Sequence, residues 1–196
     1  MLRNSLSKLV FCVVALVVVE IISAFSPVWW PVQNSADFHT RQTARIAVIL
    51  WFIAVGCSLL QVKGWARAIY FCGAGAFLYH VLVAFDQIHD WSHTAAWEHV
   101  QEVSGFGHGV FVSYAFSLIW LVDAIWWQFW PWNYALRNKT MHCRIEIFMV
   151  FIIFNGTVIF EAGMIRWISL LGFLILGLLV WKYRIFTKAT MMKDYV

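Results

Sequence analysis

Long apolar runs separated by short polar breaks set the architecture this chain predicts. The runs occupy residues 9–30, 44–62, 68–85, 106–129, 145–160 and 167–183. Each is long enough to cross a hydrocarbon layer about 30 Å thick as a helix. β-Branched stretches such as Val17-Val18-Val19 do not argue for strands. A backbone in lipid must satisfy its own hydrogen bonds, and a helix does so within one segment. The breaks are a polar loop at 33–43, a basic turn at 63–67, a polar stretch at 86–104, a second basic loop at 133–144 and a short turn at 161–166. The expectation is an all-α polytopic membrane bundle: one integral membrane domain over 1–196, with about six transmembrane helices. Within the polar stretch, Trp97, Val100 and Val103 form an apolar edge opposite Glu98, His99, Gln101 and Glu102. That pattern predicts a short helix lying on the membrane surface, capped by Ser92 or Thr94.

Composition agrees with the pattern. The chain is 62% hydrophobic and 12% charged, where a soluble domain carries about a quarter charged residues, and its mean hydropathy is +0.74. The 13 tryptophans cluster at run ends, as in Trp29-Trp30-Pro31 and in Trp126, Trp127, Trp130 and Trp132 around Pro131. These are interface positions for a ring that is apolar with one polar edge. The first run reads as a retained span rather than a signal peptide, because it is too long, contains Glu20 and lacks a small-residue cleavage site. None of the cysteines Cys12, Cys57, Cys72 and Cys143 forms a CxxC pair, and buried thiols are expected, with a Cys57–Cys72 bridge across the hairpin as the alternative.

The net charge of +4 points to membrane topology and not to nucleic acid. With the N-terminus inside, eleven of the 14 Lys and Arg residues fall on the inner side. Arg41, Arg45 and Arg166 alone fall outside. That asymmetry makes both termini cytoplasmic. It also gathers polar chemistry on the outer face. Five of the seven histidines and four of the ten acidic residues lie between His80 and His108.

Several constellations follow. If the third helix continues past the membrane edge, Asp86, His89, Asp90 and His93 share one face at i, i+3, i+4 and i+7. Two imidazoles spaced i, i+4 can present themselves to a divalent transition metal such as Zn, Fe or Cu, with Asp86 or Asp90 as a third ligand and His99 or Glu98 closing the set. A solvated helix end explains the same residues without a metal. His80 could pair with Glu20, or share a haem with His108 on the next helix if the two matched in depth. A neutral buried histidine bonded to a carbonyl is the simpler reading. Asp123 lacks a partner on its own helix and looks to Lys63 or Arg67. Glu161 pairs with Arg166 to pin the outer turn. Arg41 and Arg45 form an i, i+4 pair able to meet an anionic group or to anchor at the interface. No GxSxG, Walker, HExxH or Rossmann signature is present, and the three histidine boxes of membrane desaturases are not matched.

The strings Asp90-Trp91-Ser92-His93-Thr94-Ala95-Ala96-Trp97-Glu98-His99, Tyr114-Ala115-Phe116-Ser117-Leu118-Ile119-Trp120-Leu121-Val122-Asp123 and Phe154-Asn155-Gly156-Thr157-Val158-Ile159-Phe160-Glu161 resemble a family of small multi-pass membrane proteins of planctomycete-type bacteria, in which a WSHAAAYEHT-like segment precedes an NYAFTLLWLAD helix and an FNATVVFE helix. Trp97 stands where that pattern has Tyr, and Ser113 where it has Asn. The resemblance implies a bacterial inner-membrane protein and one coherent membrane domain, with no activity attached.

Three functions fit these expectations. One is metal-dependent or redox chemistry at the outer interface, on a lipid-like substrate. The second is a non-catalytic accessory subunit packed against other membrane subunits. The third is a small transporter built on Glu20, His80 and Asp123, against which the absence of a visible repeat or broken helix counts. The sequence leaves open whether the protein is an enzyme.

Overall fold

The computed structural model describes residues 2–29 and 35–193. Among them are eight α-helices and one π-helical turn: α1 Leu2–Trp29, α2 Ser35–Leu59, α3 Lys63–Gln87, α4 His93–Ser104, α5 Gly109–Phe129, α6 Pro131–Ala135, α7 Lys139–Phe154, the π turn Asn155–Ile159, and α8 Met164–Lys193. There is no strand among the described residues, and the fold is all-α. Five segments, Ala36–Leu59, Lys63–Gln87, Gly109–Phe129, Lys139–Ile159 and Met164–Lys182, are long and apolar enough to cross a membrane. α1 covers the first expected span as one unbroken helix. Trp30, Pro31, Gln33 and Asn34, at the end of that span and the start of the next loop, lie outside the described residues.

The helices run further than the apolar runs. The expected loop before the second span is already helical from Ser35. Asp37 sits in the first turn, where the helix dipole favours an acid, and pairs with Arg41 one turn on at 2.9 Å. Lys63–Arg67, expected as a turn, is the first turn of α3. The reversal is instead made by Leu60–Val62, with Gln61 at φ 62 and Val62 N–H bonded to the Cys57 carbonyl at 2.8 Å. On the same side, Pro131 opens α6 and Asn138 caps α7 by accepting from Thr140 N–H at 2.8 Å, so much of the second expected basic loop is helix. The predicted surface helix is α4, with Ser92 as its N-cap, accepting from Ala95 N–H at 3.2 Å. It ends at Gly105, whose left-handed φ of 74 favours glycine.

The core joins α2, α3, α5 and α7. It is built from Ala47, Trp51, Ala54, Tyr70, Ala74, Phe116, Trp120, Met149 and Ile153. Small residues let the helices approach closely. At Gly73, a Cβ would lie 3.0 Å from Trp120 Cζ2 and 3.3 Å from Leu50 Cβ, so within Gly73-Ala74-Gly75 the tight contact belongs to Gly73; Gly75 faces open space. α1 packs on α3 and α2, and α8 packs on α2 and the π turn. Large apolar side chains cover the outside of the bundle, among them Leu118, Val122, Ile147, Phe151, Leu171 and Leu174. Apolar exposure on this scale belongs in lipid. All four cysteines are free thiols.

The antiparallel run of helices gives the bundle two ends. One, the histidine end, carries the start of α2, the end of α3, α4 and the π turn. The other, the basic end, carries the α2–α3 reversal and the α5–α6–α7 link.

Candidate functional site

At the histidine end the expected four-residue face does not form. α3 stops at Gln87, and Asp90 and Trp91 turn the chain with φ of 46 and 58. Trp91 N–H reaches the Phe85 carbonyl at 2.9 Å, and its indole N–H donates to Asp86 at 3.3 Å. Two successive left-handed residues, neither of them glycine, are costly. They send His93 onto α4 instead of extending the α3 face. His93 Nδ1 lies 3.0 Å from the Tyr114 hydroxyl. His89 instead meets His99, with ring centroids 5.3 Å apart, and Phe85 packs edge-on against the His89 ring. Burial first, and the neighbouring His99 second, hold His89 below its ordinary pKa of 6.5. Among the described residues no three of His, Cys, Asp and Glu converge as a metal-holding group. Of the expected metal set, the structure brings His89 and His99 together. It turns Asp86 and His93 to other partners, and Asp90 and Glu98 stay exposed on the surface.

His80 and His108 have separate surroundings. His108 is exposed at the N-cap of α5, against Trp97, Phe106 and Phe111. His80 faces α2. Its Nδ1 sits 2.9 Å from the Thr40 carbonyl and 3.3 Å from the Thr43 hydroxyl, which itself donates to the Thr40 carbonyl at 2.8 Å. A carbonyl only accepts, so the proton is on Nδ1 and the Nε2 lone pair is left over. The expected Glu20 pairing is therefore not made, and both Glu20 carboxylate oxygens are buried without a hydrogen bond.

His80 lines a cavity of about 290 Å³ between α2, α3, α5 and the π turn, floored by Phe77, Phe116 and Trp120. At its mouth, the Glu161 carboxylate pairs with Arg45 at 3.0 Å and Arg41 at 3.5 Å. This corrects the Glu161–Arg166 expectation. Arg166 bonds the Glu161 backbone carbonyl at 3.0 Å and leaves the carboxylate to α2. The π turn makes that reach possible. Its extra residue per turn lets Phe160 N–H bond the Asn155 carbonyl at 3.0 Å and changes the direction in which Glu161 emerges.

At the basic end lies a second polar group, larger than the sequence suggested. Asp123 is 4% exposed and pairs with Arg137, also 4% exposed, at 2.5 Å, where the sequence looked to Lys63 or Arg67. The Tyr134 hydroxyl donates to the other Asp123 oxygen at 3.0 Å. Arg137 lies over the Tyr134 ring at 3.7 Å, and Trp127 stacks on the same tyrosine. Burial first, and Asp123 second, raise the Tyr134 phenol well above its ordinary range, so it stays a donor. Arg137 also contacts His142 Nδ1, and His142 Nε2 meets Glu146 at 3.1 Å. The group lines a cavity of about 430 Å³ between α2, α5, α7 and α8, with Trp51, Tyr70 and Met149 at its inner end.

Trp120 divides the two cavities. It is fully buried, with centroids 5.9 Å from Tyr70 on the basic side and 5.7 and 5.5 Å from Phe77 and Phe116 on the histidine side. Fold and cavities together define an all-α membrane protein with a mainly apolar cavity, carrying a few ionisable side chains, in each half of one bundle. No protein family, curated protein or solved structure matches the chain.

Proposed function

We propose that this protein is a small membrane transporter that passes a solute between the two cavities. The observation that carries the reading is the aromatic septum: Tyr70, Trp120, Phe77 and Phe116 stand between the cavities, each of which holds a buried ion pair or histidine. Ionisable groups inside a membrane are costly and mark solute paths. The π turn ends the α7 span beside the cavity at the histidine end, and π turns inside helices are frequent at functional sites. The Lys and Arg distribution makes the basic end cytoplasmic, with both termini inside. The resemblance to the planctomycete-type family supports a bacterial inner membrane as its place.

Two measurements on the full chain in liposomes test this. In a cysteine-free background, Ser113→Cys and Ser58→Cys line the two cavities. A membrane-impermeant maleimide should label the first from outside and the second from inside. A panel of labelled amino acids, amines, organic acids and sugars should then reveal uptake above empty liposomes. Labelling of both positions from one side only, with no uptake of any solute, would sink the transport reading.

A second reading rests on His89 and His99 alone, 5.3 Å apart by ring centroid. A movement of Glu98 or Asp86 would add a carboxylate and form a divalent-metal site for redox or lipid chemistry. Zinc or copper bound at one equivalent, and lost in His99→Ala, supports it; no binding in either protein excludes it.

A further inference from the structure

We propose that the groove between α5 and α7 at the basic end holds one anionic phospholipid, with its phosphate against Arg144 and an acyl chain along α5. This site does not depend on transport through the two cavities.

The groove has a volume of about 720 Å³, more than either cavity. It opens on the outer surface of the bundle, where Leu118 is 62% exposed and Val122 55% exposed. These two stand one turn apart on α5, and Met141 and Ile145 stand one turn apart on α7. They make an apolar trough suited to a hydrocarbon chain. What sets it apart from the rest of the lipid-facing surface is its polar end, lined by Arg144, Thr140 and Asn138. Thr140 and Arg144 are i, i+4 and share a face of α7. Asn138 spends its side-chain oxygen on Thr140 N–H at 2.8 Å and keeps its NH2 as a donor. Among the described residues no carboxylate pairs with Arg144, whereas Arg41, Arg45 and Arg137 each have one. One acid lines the groove, Asp123, and its two oxygens are taken by Arg137 at 2.5 Å and by Tyr134 at 3.0 Å. Glu146, two residues beyond Arg144, is taken by His142 at 3.1 Å. The groups left over are a guanidinium, a hydroxyl and an amide NH2, which are donors that a phosphate accepts from. Arg144 lies about 7.5 Å along the axis from the start of α7, a depth close to the boundary between headgroups and hydrocarbon. A cation at the end of an apolar trough between membrane helices is the arrangement that receives an anionic lipid. A zwitterionic lipid brings its own ammonium towards Arg144, and that like charge disfavours it.

Native mass spectrometry of the full chain in detergent tests this, by titration with phosphatidylglycerol or phosphatidylcholine of the same acyl chains. The first phosphatidylglycerol should bind about fivefold more tightly than the first phosphatidylcholine, and Arg144→Gln should remove about that factor. Lys139→Gln deletes the same charge at the same end, from a residue that does not line the groove. It should weaken phosphatidylglycerol by less than about twofold. Val122→Trp fills the trough without changing any charge and should weaken both lipids severalfold. Arg144 and Val122 are both exposed, so neither substitution reaches the core. Equal binding of the two lipids, equal losses in Arg144→Gln and Lys139→Gln, or indifference to Val122→Trp would overturn the assignment. Dimers that carry no lipid would also overturn it and give the groove to a second copy of the chain. Lipid selectivity without uptake of any solute would sink the transport reading and leave this site standing.

Discussion

The two ends of the bundle hold comparable numbers of polar side chains and treat them in opposite ways. At the histidine end, Asp90, Glu98, His93 and His99 are spread over an exposed surface, and Glu161 shares its charge with two arginines that water also reaches. At the basic end, Asp123 and Arg137 are both 4% exposed and bind each other through a 2.5 Å contact. Density of polar residues along the chain pointed to the first end. Burial, which decides what a charge costs, singles out the second. A charge in water is cheap and uninformative, whereas a charge in the bundle must have a partner to be there at all.

The sharpest way to break this contrast is to unpair the buried charges. Asp123→Ala or Arg137→Ala alone should cost about 3–5 kcal/mol, because each leaves an uncompensated charge. Replacing both with apolar residues should recover most of that loss. Unfolding of the protein in mixed micelles measures it, and equal losses in the single and double variants would contradict the pairing. At the other end, Ser92→Ala removes the cap of α4 and should cost about 1 kcal/mol, read from the same unfolding curves. Glu161→Gln, on a pair the solvent partly screens, should cost at most about 1 kcal/mol. A loss as large as that of Arg137→Ala would erase the distinction between the ends.

The smallest expected effect is in pH. His89 has a folded pKa below its ordinary 6.5. At pH above 6.5 it is neutral folded or unfolded, and its contribution to stability is complete. As pH falls below 6.5 the unfolded chain takes up the proton first, so stability declines until the folded pKa is passed. Melting temperature should therefore drop as pH falls below the ordinary 6.5, and His89→Gln should flatten that slope. A slope unchanged in His89→Gln would assign it to another group.

Much of the fold was legible because lipid makes strong demands on composition. The apolar runs located the spans, and the Ser92 cap and Trp97 edge located α4. The helices outran their hydrophobic cores because pairs such as Asp37–Arg41 extend them into the interface, where hydropathy says little. The candidate site was harder to read. Nothing around Asp90-Trp91 signals two left-handed residues, so the sequence predicted a continuous face where the chain turns. The partner of Asp123 comes from beyond a proline that reads as a break. That break is what folds Tyr134 and Arg137 back, three residues apart, onto α5. The Nδ1 proton of His80 depends on Thr40, on another helix and 40 residues away, which no local pattern reports.

The π turn has a further consequence, one that concerns insertions and deletions. An α-helix advances about 100° per residue, so one residue removed between Asn155 and Ile159 would restore a regular helix and rotate everything after it by about that angle. Glu161 would then leave Arg45, and the mouth of the cavity would lose its carboxylate. A chain of otherwise identical composition, one residue shorter here, would keep its membrane helices and lose this site. Length at this point, more than the identity of any single side chain, separates a protein with the cavity from one without it.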